Sequence, residues 1–98
     1  MKFPPLSPEE VRERLPEGWT YDEAEPAIRW SHRTRDFAGA FALATRIALL
    51  AERMGHHPEI TVTWGRLEIA LTTHRPRGIT RLDLRMAGAI ARWKQSNG

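Results

Sequence analysis

Residues 59–71 read EITVTWGRLEIAL, and this stretch decides the fold. Its apolar positions are Ile60, Val62, Trp64, Leu67, Ile69 and Leu71. Alternation with a period of two is typical of strands that bury one face, and the Gly65-Arg66 pair between the two runs has the composition of a two-residue hairpin loop. The stretch therefore predicts an antiparallel hairpin in which Trp64 pairs with Leu67.

A long amphipathic helix is predicted before the hairpin. Asp36 can cap its first turn, and Gly55 can end it in a left-handed conformation after Met54. Apolar side chains recur every three or four residues along it, at Phe37, Ala40, Phe41, Ala44, Ile47, Ala48, Ala51 and Met54. This spacing places them on one stripe that faces a core.

Two further helices are predicted near the ends of the chain. The sequence SPEE at residues 7–10 has the serine, proline and glutamate of a capping box, and Pro16 marks the end of that helix. Thr80 and Asp83 have the same spacing at the start of the last helix. Asp83 is therefore predicted to be a helix-capping residue.

Residues 19–22 and 27–34 predict two more strands, because polar and apolar side chains alternate along them. The element order becomes α-β-β-α-β-β-α within a single domain over residues 1–98. The predicted class is α+β, with a four-stranded antiparallel sheet and three helices packed on one face.

Composition limits the class of function. The chain has 98 residues, no cysteine, and 15 basic against 12 acidic residues. The absence of cysteine excludes disulfides and thiolate metal sites and fits a reducing compartment. Basic and acidic residues alternate, which disfavours nucleic-acid binding and favours a mixed, solvated surface. No apolar run approaches the ~20 residues of a membrane span and no signal-peptide core is visible, so we expect a cytoplasmic protein.

Three of the four histidines lie near the hairpin. The predicted register places His57 opposite His74, with Cβ atoms roughly 4.5–5.5 Å apart. His56 is adjacent, and Glu52 precedes it by one helical turn. Imidazole can both give and take a proton near neutral pH. The spacing therefore indicates a site for acid–base chemistry.

Two other interpretations of these histidines stay open. A zinc ion could be held by His56, His57 and His74, although adjacent side chains on an extended chain point to opposite faces. Each histidine could also be a cap or a packed polar group. His32 lies among strand residues and is most simply structural.

One spacing pattern is identified as a family signature. Its positions are filled by Glu52, His56, His57, Pro58, Trp64, His74 and Asp83. This pattern resembles the signature of the pterin-4a-carbinolamine dehydratases. The resemblance extends to Gly18-Trp19 and to residues 33–41, and it covers about residues 7–94.

The resemblance implies a hydro-lyase. The family removes water from the 4a-hydroxytetrahydropterin (4a-hydroxytetrahydrobiopterin) that aromatic amino-acid hydroxylases leave, and so supports tetrahydropterin regeneration. The product is the quinonoid dihydropterin. The family uses no metal and no organic cofactor.

The resemblance also implies roles for particular side chains. His56 and His74 match the family histidines that assist departure of the hydroxyl, and His57 matches the one that binds substrate and takes a proton. Glu52 would orient or charge-tune the pair. Further positions that would line the pterin pocket are Trp19, Pro58, Thr73, Arg75 and Pro76, with Trp64 and Asp83 as signature positions. Arg75 and Pro76 stand where the family has a cysteine and an acidic residue.

A second function is compatible with the same resemblance. Relatives of the family act as dimerisation cofactors for transcription factors or as assembly factors, without catalysis. The family forms dimers through the sheet and tetramers through the long helix, so we expect a homodimer or homotetramer. Leu43 and Leu50, which lie off the main apolar stripe, are expected near the helix–helix contact.

Overall fold

The computed structural model describes residues 3–97. Its helices and main strands are α1 (Pro8–Arg14), β1 (Trp19–Asp22), β2 (Ala27–Arg33), α2 (Phe37–Met54), β3 (Glu59–Thr63), β4 (Arg66–Leu71) and α3 (Arg81–Asn97). The predicted α+β class and element order are confirmed. A short two-stranded ladder of β5 (Thr73–His74) and β6 (Arg77–Gly78) lies between β4 and α3, and it was not predicted.

The four main strands form one antiparallel sheet in the order β1-β2-β4-β3. One face of this sheet is apolar and covered by the helices. Its fully buried members are Ile28, Leu67, Ile69 and Leu71, packed with Val11 of α1, Ile47 and Ala51 of α2 and Met86 and Ile90 of α3. The opposite face carries exposed polar side chains, so the sheet has one dry and one open face.

The predicted helix caps are confirmed. At α1, the Ser7 hydroxyl accepts from the Glu10 amide and the Glu10 carboxylate accepts from the Ser7 amide. The Ser7 amide hydrogen bond is the main reason that the pKa of Glu10 is lowered from its usual value. At α2, the Asp36 carboxylate accepts from the Gly39 amide at 2.8 Å, and Gly55 ends the helix with φ +64°.

The predicted hairpin register is wrong by two residues. Val62 pairs with Leu67 and Thr63 with Arg66, so the loop is Trp64-Gly65 and the positive φ of +72° falls on its second residue. A shift of two residues leaves every side chain on its original face, so the apolar pattern fits both registers equally well. The consequence is local. Trp64 lies at the hairpin tip, where it is 75% exposed.

The expected place of Leu43 and Leu50 near a helix–helix contact between chains stays a prediction. Both are half-buried and pack against the core of their own chain, because they extend the stripe that α2 turns to the sheet. The large exposed apolar side chains of α2 are Phe37, Phe41 and Leu49, which are 50–57% exposed. The predicted core-facing stripe is therefore wrong at Phe37, Phe41 and Ala48, which lie on the solvent side of the helix.

Within residues 3–97, none of the helices combines the length and apolar character required to cross a bilayer.

Candidate active site

Three segments that are far apart in the sequence meet at one end of the sheet. The first is the turn after α2, where the left-handed Gly55 redirects the chain and the His56 amide donates to the Ala51 carbonyl at 3.1 Å. The second is the segment after β4, which carries Thr73 and His74, and the third is the first turn of α3. These three segments bring the predicted histidines to a common cleft.

His56 is held by a buried carboxylate. Its Nε2 is hydrogen-bonded to Asp83 Oδ1, and its side chain is 11% exposed while that of Asp83 is fully buried. Asp83 Oδ2 accepts from the Thr73 hydroxyl at 2.8 Å and from the Thr80 amide at 2.9 Å. The predicted cap of α3 is therefore present. The same carboxylate also fixes the orientation of the His56 ring. The other ring nitrogen, Nδ1, is not part of this contact.

His57 is held by an exposed carboxylate. Its Nε2 lies 2.6 Å from Glu52 Oε2, on the last turns of α2. The two side chains are 66% and 73% exposed, so this pair can exchange protons with solvent.

The predicted pairing of His57 with His74 is wrong. β3 begins at Glu59, so the ladder does not reach His57, and His74 pairs with Arg77 inside the β5–β6 ladder. The chain leaves the main sheet after β4, where the Thr72 hydroxyl donates to the Pro26 carbonyl at 2.5 Å. It then turns back at the cis Arg75-Pro76 peptide.

The histidines nevertheless line one cleft of about 360 Å³. Its lining residues are Phe3, Gly55, His56, His57, Thr72, Thr73, His74, Arg75 and Leu82. The structure thus brings together all three predicted histidines with Thr73 and Arg75. Pro58 and Pro76 are not part of this lining, although each adjoins a residue that is.

Two aromatic residues of the predicted set lie elsewhere. Trp19 is only 6% exposed and stacks on Trp30 in the core, with ring centroids 6.0 Å apart, so it does not form a wall of the cleft. Trp64 is at the hairpin tip. His32 stacks on Trp30 at 5.2 Å, away from the other histidines.

The sequence gives no direct signal for some of this site. The Thr-x-x-Asp spacing predicts Asp83 as a cap but says nothing of its contact with His56, 27 positions away. Phe3, Thr72 and Leu82 were not predicted to line the cleft, because they match no motif of reactive side chains.

Around the cleft, the side chains that the structure describes do not form a cluster suited to a zinc ion. Among residues 3–97, no group of three histidine, aspartate or glutamate side chains is close enough to hold a metal ion. His56 and His57 each contact a carboxylate, on α3 and α2 respectively. The arrangement instead suits proton transfer, because two oriented imidazoles and a third imidazole surround one open cleft.

Comparison with known proteins identifies related sequences. The family model described as "Pterin 4 alpha carbinolamine dehydratase" matches residues 4–93. A protein of Rhizorhabdus wittichii named "Putative pterin-4-alpha-carbinolamine dehydratase" is 44% identical over 93 residues, covering 92% of this chain and 95% of its own. A protein of Prochlorococcus marinus with the same name is 46% identical over 80 residues, covering 82% and 80%.

A solved structure is similar over almost the whole chain. It is described as the crystal structure of a transcriptional coactivator/pterin dehydratase from Brucella melitensis. The TM-score is 0.80 at 36% identity, covering 90% of this chain and 99% of that one. Both the sequence and the fold are therefore similar to those of one group of proteins.

Proposed function

This chain belongs to the pterin 4 alpha carbinolamine dehydratase family, and from that premise we propose that it dehydrates a 4a-hydroxytetrahydropterin to the quinonoid dihydropterin. We further propose that histidines carry out the reaction by acid–base catalysis. The observation that carries the proposal is the cleft that His56, His57 and His74 line, with the first two each held by a separate carboxylate.

The reaction needs one proton donor and one proton acceptor. The bond between C4a and the hydroxyl oxygen breaks, and the oxygen leaves as water after it receives a proton. The proton on ring nitrogen N5 goes to a base, and its bonding electrons form the C4a–N5 double bond. No electrons enter or leave, so the chemistry requires only groups that hold and move protons.

The environments of the histidines favour a division of these roles. His57 is exposed and contacts Glu52, so a proton that it takes up can pass to the carboxylate or to solvent. These properties suit the base that takes the N5 proton. His56, oriented by Asp83, and His74, across the same cleft, are then available to protonate the leaving hydroxyl.

A binding role is the second candidate. The similar Brucella structure is titled both transcriptional coactivator and pterin dehydratase. Here Phe37, Phe41 and Leu49 expose apolar surface on α2, and none of them lines the histidine cleft. We propose that this surface supports self-association as a homodimer or homotetramer. We also propose that the protein acts in the same pathway as an aromatic amino-acid hydroxylase, and that it is located in the cytoplasm.

The decisive experiment measures dehydration directly. A hydroxylase generates the carbinolamine, and its absorbance is followed with and without the purified protein in the presence of a metal chelator. The proposal expects decay faster than the spontaneous rate at micromolar protein. Unchanged decay would reject catalysis in favour of the binding role, and activity that zinc restores after chelation would favour a metal site.

A further inference from the structure

A second cavity adjoins the histidine cleft. This cavity has a volume of about 330 Å³ and shares His57, Thr72 and His74 with the cleft. These three residues therefore border both spaces. A ligand that reaches the histidines from the cleft can extend past them into the second cavity.

The second cavity leads onto the open face of the sheet. Arg29, Ala70 and Glu59 lie side by side on strands β2, β4 and β3, in one cross-strand row. They line the second cavity and also a third one of about 330 Å³ farther along the same face. We call the space over this row the outer trough.

Ala70 is the reason that the trough exists. Its side chain is a single methyl group between two long ones, and strands about 4.8 Å apart put Arg29 and Glu59 roughly 10 Å from each other. Ala70 therefore forms the floor and the two charged side chains form the walls. A larger side chain at position 70 would point to the same open face and fill the trough.

The charges of the second cavity are balanced. Glu25 and Glu59 provide two carboxylates, while Arg29 and Arg77 provide two guanidinium groups, and all four side chains are exposed. An anionic group would be attracted by the two guanidinium groups but repelled by the two carboxylates, so a negative charge gains little there. A neutral group with several hydroxyls can instead donate to the carboxylates and accept from the arginines.

The geometry of the substrate determines which part of it can enter. In a tetrahydropterin the carbon that bears the side chain, C6, is bonded directly to N5. If N5 lies at His57, that side chain begins where the two cavities meet. We propose that the outer trough binds the C6 side chain of the pterin, that it favours a neutral polyhydroxylated side chain, and that Ala70 determines this specificity. The inference rests on the proposed dehydratase activity.

The test compares two carbinolamines that differ only at C6. One carries a methyl group and the other a dihydroxypropyl group, and kcat/KM is measured for the wild type, Ala70→Leu and the matched control Thr63→Leu. Thr63 is on the same sheet face but lines none of the three cavities. We expect Ala70→Leu to lower kcat/KM for the dihydroxypropyl substrate about tenfold, through KM, and the methyl substrate less than about twofold. Thr63→Leu should change neither.

A second variant keeps the inference testable if Ala70→Leu folds poorly by circular dichroism. Arg29→Met preserves length but removes the donors, and it should lower the preference for the dihydroxypropyl substrate several-fold. Equal effects on both substrates in the folded variants would overturn the trough while leaving the dehydratase in place. Absence of turnover with both substrates in the wild type would overturn the proposed function itself.

Discussion

Replacing Asp83 by alanine would remove one carboxylate that performs two tasks. It caps α3 through the Thr80 amide, and it holds His56 through Nε2. Because the Asp83 side chain is fully buried, water cannot replace it without a rearrangement. The Thr80 amide, the Thr73 hydroxyl and the His56 ring would each lose an acceptor.

The size of the effect follows from these lost contacts. A buried donor left without an acceptor costs about 1–3 kcal/mol, and three donors lose an acceptor here. We expect Asp83→Ala to lower the free energy of unfolding by about 3–5 kcal/mol. For a domain of this size, that corresponds to a fall in Tm of roughly 15–30 °C.

Asp83→Asn separates the two tasks. The asparagine oxygen can still accept from the Thr80 amide, so the loss of stability should be only about 1 kcal/mol. Its amide nitrogen is a donor, however, and would face the Nε2–H of His56. The ring would have to move its proton to Nδ1, and turnover should fall even though the fold survives.

The matched control is the exposed pair of Glu52 and His57. Glu52→Gln and Glu52→Ala should change the unfolding free energy by less than about 0.5 kcal/mol, because the group is mostly in water. Urea or thermal unfolding of the variants gives the comparison. If Asp83→Ala were no more destabilising than Glu52→Ala, the argument from burial would be refuted.

Three further outcomes are expected. His57→Ala and His74→Ala should each lower turnover by about 10²-fold, while His32→Ala, outside the cleft, should not; variants within threefold of wild type would contradict catalysis by these rings. Light scattering should give a mass above the 11.2 kDa of one chain, and Phe41→Glu should reduce it; a monomeric wild type would reject self-association. The pKa of Glu10 is lowered in the folded state, so its stabilisation is present above the ordinary value of 4.5 and is lost as the pH falls through the lower folded value. Over that pH range, Glu10→Gln should therefore lose less stability than the wild type does. Urea unfolding at several pH values measures the difference.

The element order could be predicted because each helix and main strand carries its own local signal. Asp36 and Gly55 mark the two ends of α2, and the alternation in β4 identifies its buried face. The hairpin register could not be fixed in the same way. Two registers that differ by an even number of residues bury the same side chains, and only the turn geometry around Gly65 distinguishes them.

The candidate site could be predicted only in part. The spacing of the histidines indicated that they act together, and all three line the cleft. The structural reason predicted for their proximity was wrong. His57 and His74 were expected to pair across β3 and β4, but the chain leaves the sheet after β4 and forms β5 and β6. Strands of two residues are too short to show an alternation of polar and apolar side chains, so the sequence pattern could not predict β5 and β6. The contact of His56 with Asp83 depends on how α3 packs beside the turn after α2, which no local pattern encodes.

The difference in burial between the two histidine–carboxylate pairs also determines which residues indicate that a related protein still catalyses the reaction. In a descendant that has lost the reaction but still folds, Asp83 would be retained because α3 needs its cap, and His56 because it satisfies that buried carboxylate. The side chains of Glu52 and His57 are mostly exposed, so their loss would cost little stability, and selection for the reaction is what would retain them. An intact Glu52–His57 pair is therefore the more informative sign of a working enzyme.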